Sequence, residues 1–583
     1  MRSLRKLAAF LKPYQRWALL APLMMALEVA MDLMQPRLVQ RMVDDGIARH
    51  DMSVVLHTGG LQIACAFIGM FAGMGCTYFA VLAGQGFGAD LRERLFEKIQ
   101  SLSFGNLDHL DTGSLITRLT NDVTQVQEVV MMVLRIMVRV PLLLVGSLIM
   151  GVLTSPRLSL LFLVLIPVIT VSLAAIIRRT SPLFSEVQKR LDALNTVMQE
   201  NLSGVRVVKA FARSQREEQR FGDANDQLMT QNILAARLGA LTMPAVMLTL
   251  NFGVVAALWF GGAQVNAGQL SIGQVIAFIN YLMQTLIALT MASMLIMRFS
   301  RGEASAQRID EVLISVPTIH TAADALTLAQ TRGRIAFENV RFAYDGQDHD
   351  PVLTDVSFTA EPGQTVAILG ATGSGKTSLV NLVPRFYDVA GGRVTIDGQD
   401  VRTLSETSLR GHVGIALQES VLFSGSIREN IKYGRPEASD EEAVAAAKMA
   451  QAHDFIMGFP EGYDTVVGQR GVNLSGGQKQ RLAIARVLLT GADILILDDS
   501  TSAVDVQTEA RIQEALADHR RGRTSLVVAQ RISTVLGADK ILVLDDGRIA
   551  AEGTHRELLL SSPIYREIYE SQMENGVIVD GGE

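Results

Sequence analysis

The sequence predicts a membrane domain of six transmembrane α-helices fused to an α/β nucleotide-binding domain of the P-loop type. Three observations carry that expectation. Apolar residues fill 49% of the 583 positions, and a mean hydropathy of +0.26 is too high for a wholly soluble chain. Long, weakly charged runs fall at 17–36, 55–83, 129–154, 158–177, 238–260 and 272–297, each long enough for the ~20 residues that cross a bilayer. From about Arg332 the pattern changes to short β-rich runs alternating with helical ones, and Gly370 to Ser378 there reads GATGSGKTS.

Taken in order, the basic start MRSLRKLAAFLK leads into the first span with no small-residue cleavage site, and reads as an amphipathic helix on the inner membrane surface rather than a leader. Long, polar, helix-like excursions separate spans two and three and spans four and five. The second of them carries Arg178, Arg179, Lys189, Arg190, Arg206, Lys209, Arg213, Arg216, Arg220 and Arg237, whereas basic residues are few in the short connections, among them Arg49 and Arg157. Positive charge therefore assigns the excursions, the N-terminus and the nucleotide-binding domain to the cytoplasmic side of the cell membrane. Cys65 and Cys76 both fall in span two, where they read as small apolar residues rather than a disulfide or metal pair. A net charge of −6 is too mild to imply nucleic acid. The expected division is a membrane domain over 1–315, a linker over 316–332 and a nucleotide-binding domain over 333–583.

The string Gly370, Ala371, Thr372, Gly373, Ser374, Gly375, Lys376, Thr377, Ser378 fits GxxxxGK[ST]. Its glycines let backbone N–H groups approach phosphate oxygens, Lys376 reaches the outer phosphates, and Thr377 is placed to ligate Mg²⁺. TVAILG leads in as a buried strand and TSLVNLV leads out as a helix, the order that a phosphate cradle requires.

Six spans with long helical excursions, fused to one domain that carries both GATGSGKTS and LSGGQKQ, resemble a half-transporter of the ABC exporter superfamily. The resemblance covers essentially the whole chain and implies the following assignments. Tyr344 in VRFAY matches the aromatic that stacks on adenine, and the loop at Gly370–Ser378 is the Walker A motif. Gln418 in ALQES matches the glutamine that ligates Mg²⁺ and senses the membrane domain. Ser475, Gly476, Gly477 and Gln478 belong to the LSGGQ signature, preceded by Gln469 where the family more usually has glutamate. Asp498 ends the Walker B strand ILILD and holds Mg²⁺, and SAVD at 502–505 matches the D-loop. TGSLITRLTNDV from Thr112 and ENLSGVRVVKAF from Glu200 resemble the two coupling segments. One chain does not supply both cradle and signature to the same ATP, so a second half-transporter is expected to close each site.

Two positions depart from the family pattern. Asp499 stands where the family has the glutamate that polarises the attacking water, and Gln530 stands where it has a histidine on the γ-phosphate. Aspartate is one methylene shorter, and misplacement of about 1 Å costs roughly a hundredfold in rate; glutamine keeps a donor but loses the charge. Together they resemble the degenerate-site subunit of heterodimeric bacterial multidrug ABC exporters, which implies a non-identical partner, ATP and Mg²⁺ as cofactors, and export of amphipathic drugs or lipids across the bilayer. A low-turnover ATP-binding regulatory or gating membrane protein is the alternative. Glu28 and Asp32 in span one suit cationic amphipathic cargo, pairing with polar groups of neighbouring helices, or a water-filled outer vestibule. Asn251, Asn280 and Gln284 suit either a transport path or hydrogen bonds between helices. Arg135 and Arg139 are expected to snorkel to the interface, and the 24 methionines suit an adaptable apolar cavity.

Overall fold

The computed structural model describes residues 2–322, 324–344, 351–520 and 522–574; the expected end of the second domain at Glu583 lies outside the described residues. Contacts divide the chain into two units, Met1–Gln100 with Thr112–Ile314, and Ser101–Asp111 with Ser315–Glu583.

The first unit is helical. Its main helices are α1 (Gln15–Arg41), α2 (Met52–Gln100), α4 (Val123–Thr154), α5 (Leu160–Ser203), α6 (Val205–Ala210), α7 (Ser214–Gly239), α8 (Thr242–Asn266) and α9 (Ile272–Ile314); α3 (Phe104–Asp108) belongs to the second unit. Six helical stretches among the described residues are long and apolar enough to cross a membrane. The excursions are largely continuations of the spans: α2 runs for 49 residues and α5 for 44, well beyond the ~20 that the hydrocarbon needs. Large apolar side chains such as Leu19, Phe71, Leu163 and Trp259 stay exposed, as lipid-facing residues do. Small residues face inward, and Ala21, Cys76, Ala80, Ala83 and Ala288 pack α1, α2, α4 and α9 closely together with Met25, Val29, Leu134 and Leu143. Cys76 is thus a small apolar contact residue. A second core joins α5, α8 and α9 through Phe162, Leu165, Ile169, Leu250, Phe278 and Leu282.

The second unit has two sheets. The six-stranded one runs β12-β11-β3-β10-β9-β6, where β3 is Thr365–Gly370, β6 Val413–Ala416, β9 Ile494–Asp498, β10 Thr524–Val528, β11 Lys540–Asp545 and β12 Arg548–Gly553. All its pairs are parallel except β11 with β12. β9 and β10 are buried at every position, as central parallel strands with both faces covered must be. The four-stranded antiparallel sheet runs β2-β1-β4-β5, with β1 at Ile335–Phe342, β2 at Leu353–Ala360, β4 at Gly391–Ile396 and β5 at Gln399–Asp400.

Within the segment 316–332, Leu328 is buried in the core of the second unit, its N–H donates to Ser408 Oγ, and its carbonyl meets His412 Nε2. In the first excursion, α3, upstream of Thr112, belongs to the second unit. Phe104 stacks on Phe386 with ring centroids 4.3 Å apart, and the Tyr387 hydroxyl donates to Asp108 Oδ2 at 2.8 Å. A reciprocal cap between Ser103 and Asn106 starts this helix.

Candidate functional site

The parallel strands β3, β9 and β10 deliver their C-terminal ends to one cleft, the position at which open α/β sheets bind ligands. The cleft encloses about 300 Å³ and is lined by Tyr344, Thr372, Gly373, Gly375, Lys376, Thr377, Ser378, Gln418, Asp498, Asp499 and Gln530, among others. The motif residues dispersed over the sequence therefore converge.

From β3 the chain turns through Gly370–Gly375 into α10 (Lys376–Asn381). Gly375 has φ of +97°, and a Cβ there would come within 2.8 Å of Leu353 and 3.0 Å of the Val352 carbonyl, so the turn admits only glycine. Lys376 Nζ folds back on its own loop and donates to the carbonyls of Gly370 at 2.8 Å and Ala371 at 2.7 Å. Burial lowers the Lys376 pKa, against the opposing pull of Asp499 and Asp498.

Asp498, at the end of β9, is 0% exposed. Its Oδ1 accepts from Thr377 Oγ1 at 3.2 Å, while its Oδ2 is buried with no partner among the described residues, as is Ser374 Oγ in the Gly370–Gly375 loop. Burial pushes the Asp498 carboxyl up to about 6, with the neighbouring Asp499 adding to the rise and Thr377 opposing it. An orphaned carboxylate oxygen next to a threonine hydroxyl is the donor set a hard cation takes, so the residues present fit Mg²⁺ bound with a nucleoside triphosphate. Thr377 and Asp498 would hold the ion, Gln418 is exposed and lines the same cleft, and the bound ion would neutralise phosphate charge.

Tyr344 stands at the edge of the cleft, its hydroxyl 2.8 Å from Ser378 Oγ and its ring edge-on to Tyr387 at 5.2 Å. Asp499 sits just after β9 with φ of +46°, 8% exposed, and burial raises its carboxyl above the usual range. Gln530 Nε2 donates to Asp499 Oδ2 at 2.8 Å, so the two departures from the family pattern are hydrogen-bonded to each other.

The signature residues lie elsewhere. Ser475 caps α11 (Gly476–Thr490): its Oγ accepts from the Gln478 N–H at 3.3 Å and its own N–H donates to Gln478 Oε1 at 2.8 Å. Gly476 borders a separate cleft with Gln418, Arg470, Lys479, Gln480 and Ala503, not the cradle of Lys376.

In the membrane unit the structure brings Glu28 and Asp32 together on one cation. Arg139 on α4 pairs with Glu28 and donates to Asp32 Oδ2 at 3.0 Å, so it bridges two helices instead of snorkelling. The side-chain amides of Asn251 and Asn280 each donate to a carbonyl of their own helix, Met247 and Ile276, at 2.9 Å. Gln284 Oε1 is buried without a partner among the described residues. Sequence reading missed Arg139 as a partner of the acids, α3 with Tyr387, and the side chains Gln480, Arg531 and Glu509 around the D-loop.

The ABC transporter transmembrane region family matches residues 19–289, and the ABC transporter family of ATP-binding domains matches 353–502. An uncharacterized ABC transporter ATP-binding protein of Bacillus subtilis (strain 168), YfiB, is 44% identical over 572 residues, covering 98% of each chain. The ATP-dependent lipid A-core flippase of Syntrophus aciditrophicus (strain SB) is 37% identical over 504 residues, covering 86% of this chain and 83% of that one. A solved structure of a bacterial Atm1-family ABC exporter with ATP bound superposes with a TM-score of 0.79 at 28% identity, over 97% of this chain and 99% of that one. A membrane region and an ATP-binding domain in one chain, joined in this order, place the protein in the ABC transporter family as an exporter half-transporter.

Proposed function

We propose that the chain is one half of a heterodimeric exporter that moves amphipathic small molecules, drugs or lipids, across the cell membrane, and that its own ATP site is degenerate. The hydrogen bond between Gln530 Nε2 and Asp499 Oδ2 carries this reading. A general base must present a free carboxylate oxygen to water, and a switch side chain must reach the phosphate. Here one Asp499 oxygen is taken up by the Gln530 amide, which is thereby turned toward Asp499. Asp499 is moreover a methylene shorter than the glutamate expected there, which retracts its carboxylate from the nucleotide.

The rest of the site supports binding without fast turnover. Lys376, Thr377, Asp498 and Gln418 hold MgATP, Tyr344 stacks on the base, and slow hydrolysis leaves the nucleotide in place. Ser475, Gly476, Gly477 and Gln478 are intact and complete the competent site of a non-identical partner. The N-terminus and the nucleotide-binding domain lie on the cytoplasmic side, where the basic excursions also fall. The likeness to a lipid A-core flippase favours amphipathic cargo, and the ion cluster of Glu28, Asp32 and Arg139 supplies polar recognition inside the membrane unit.

Mass analysis of the complex purified from its native membrane tests the proposal. It should contain a second ABC half-transporter with glutamate and histidine at the equivalents of Asp499 and Gln530. A homodimer of this chain with ordinary ATPase and transport rates overturns it.

A further inference from the structure

Glu28, Asp32 and Arg139 do not cancel among themselves. Arg139 pairs with Glu28 and donates to Asp32 Oδ2 at 3.0 Å, so two carboxylates share one guanidinium and one negative charge is left over. On α2 the trio meets a glycine: a Cβ on Gly73 would come within 2.9 Å of Glu28 Oε2 and would push that carboxylate from its seat. Glu28 is closed in, with 16% of its side chain exposed, whereas Asp32 keeps 39% and its Oδ1 has no hydrogen bond among the described residues.

Arg135 supplies the missing positive charge without touching the trio. It stands one turn before Arg139 on the same face of α4, ~6 Å along the axis. Among the described residues it makes no hydrogen bond or ion pair, and its Nε is shut off from solvent. The charges of Arg135, Arg139 and Glu28 all reach Cys76 on α2, which places Arg135 in the neighbourhood of the trio. Together the four ionic groups carry two charges of each sign. Charge inside a span is costly and marks a functional site, and a buried donor left without an acceptor adds to the cost.

We propose that Arg135 and the free Oδ1 of Asp32 are the two poles of a head-group site, and that the cargo is a zwitterionic amphipath: a phosphate and an ammonium a few bonds apart, on an apolar tail. Cargo of this class presupposes the amphipath export proposed above. The guanidinium of Arg135 offers unused N–H donors in a fork that fits two phosphate oxygens. The half-exposed oxygen of Asp32 accepts from the ammonium. Charge balance then selects between head groups. The four side chains are neutral together, so a neutral zwitterion leaves no surplus charge in a medium of low dielectric, whereas a singly charged head leaves one.

The experiment titrates the assembled transporter, in uncharged maltoside micelles, with three lipids that share one fluorescent tail and carry phosphoethanolamine, anionic phosphoglycerol or cationic trimethylammonium heads. Phosphoethanolamine should bind about tenfold tighter than either charged head. Arg135→Gln leaves a surplus negative charge and should make trimethylammonium the tightest, whereas Asp32→Asn leaves a surplus positive charge and should make phosphoglycerol the tightest. An order that these substitutions do not shift in opposite directions, or an equal loss for all three heads, overturns the site. If Arg135→Gln does not assemble, Arg135→Lys keeps the charge without the fork: the order should hold with phosphoethanolamine severalfold weaker, and unchanged affinity overturns the role of Arg135. Tail-free phosphoethanolamine that competes as well as the lipid overturns the amphipath. ATP-driven movement of the same lipids in vesicles separates this site from the export reading. Binding in the expected order without movement keeps the site and removes export, and movement indifferent to the head keeps export and overturns the site.

Discussion

Asp498 ends a fully buried strand with one carboxylate oxygen unpartnered, and burial lifts its pKa to about 6. Since the folded value is raised, the stabilisation belongs to the protonated form: it is present at low pH and is lost as pH rises through about 6. At pH 7.5 the nucleotide-free domain therefore keeps a buried charge that Thr377 and Lys376 only partly offset, which Asp498→Asn removes. That variant should gain on the order of 1–3 kcal/mol in the absence of nucleotide while losing the Mg²⁺-dependent part of ATP binding. Thermal melts with and without MgATP check both signs: a higher Tm alone and a smaller ligand-induced shift. In the unmodified protein, Mg²⁺-dependent affinity should fall about tenfold per pH unit below the pKa, because the ion competes with a proton. Asp498, Lys376 and Thr377 were legible in the sequence because phosphate chemistry needs those residue types at fixed spacing. Arg139 as the partner of Glu28 and Asp32 was not, since it stands 111 and 107 positions away and only helix packing makes them meet.

At the scale of elements, the alternation of β-rich and helical runs announced the parallel sheet, and length with low charge announced the spans. Short elements escaped. α3 has five residues and no readable period, although Ser103 and Asn106 at capping distance, just past the end of α2, were available as a start signal. Its neighbours give it a role to test. Phe104 stacks on Phe386, Tyr387 donates to Asp108, and the Tyr387 ring meets Tyr344 at the cleft, so α3 is in contact with the site through rings and one charge-assisted bond. Tyr387→Phe removes the bond to Asp108 and leaves the rings, a change of about 1–2 kcal/mol for an exposed bond to a carboxylate. Basal ATPase should stay within about twofold while substrate transported per ATP falls severalfold. Transport and ATPase in reconstituted vesicles measure both; an equal fall in the two contradicts a coupling role for this contact.

For the whole molecule, Lys376 and Gly476 of the signature line different clefts of one domain, with Gln418 bordering both; under the proposed two-chain reading the two clefts serve two different nucleotides. Within the cradle, Gln530 and Asp499 are hydrogen-bonded to each other. Substitutions on the two faces must then differ sharply in effect. The steady-state ATPase rate of the assembled complex carrying Asp499→Asn, set beside that of Ser475→Arg, measures this directly. Ser475→Arg, which drives bulk and charge into the competent site, should nearly abolish turnover, and Asp499→Asn should cost far less than the ~10²-fold expected from losing an effective general base. Equal, severe losses in both would show that Asp499 is catalytic and would contradict the asymmetric mechanism.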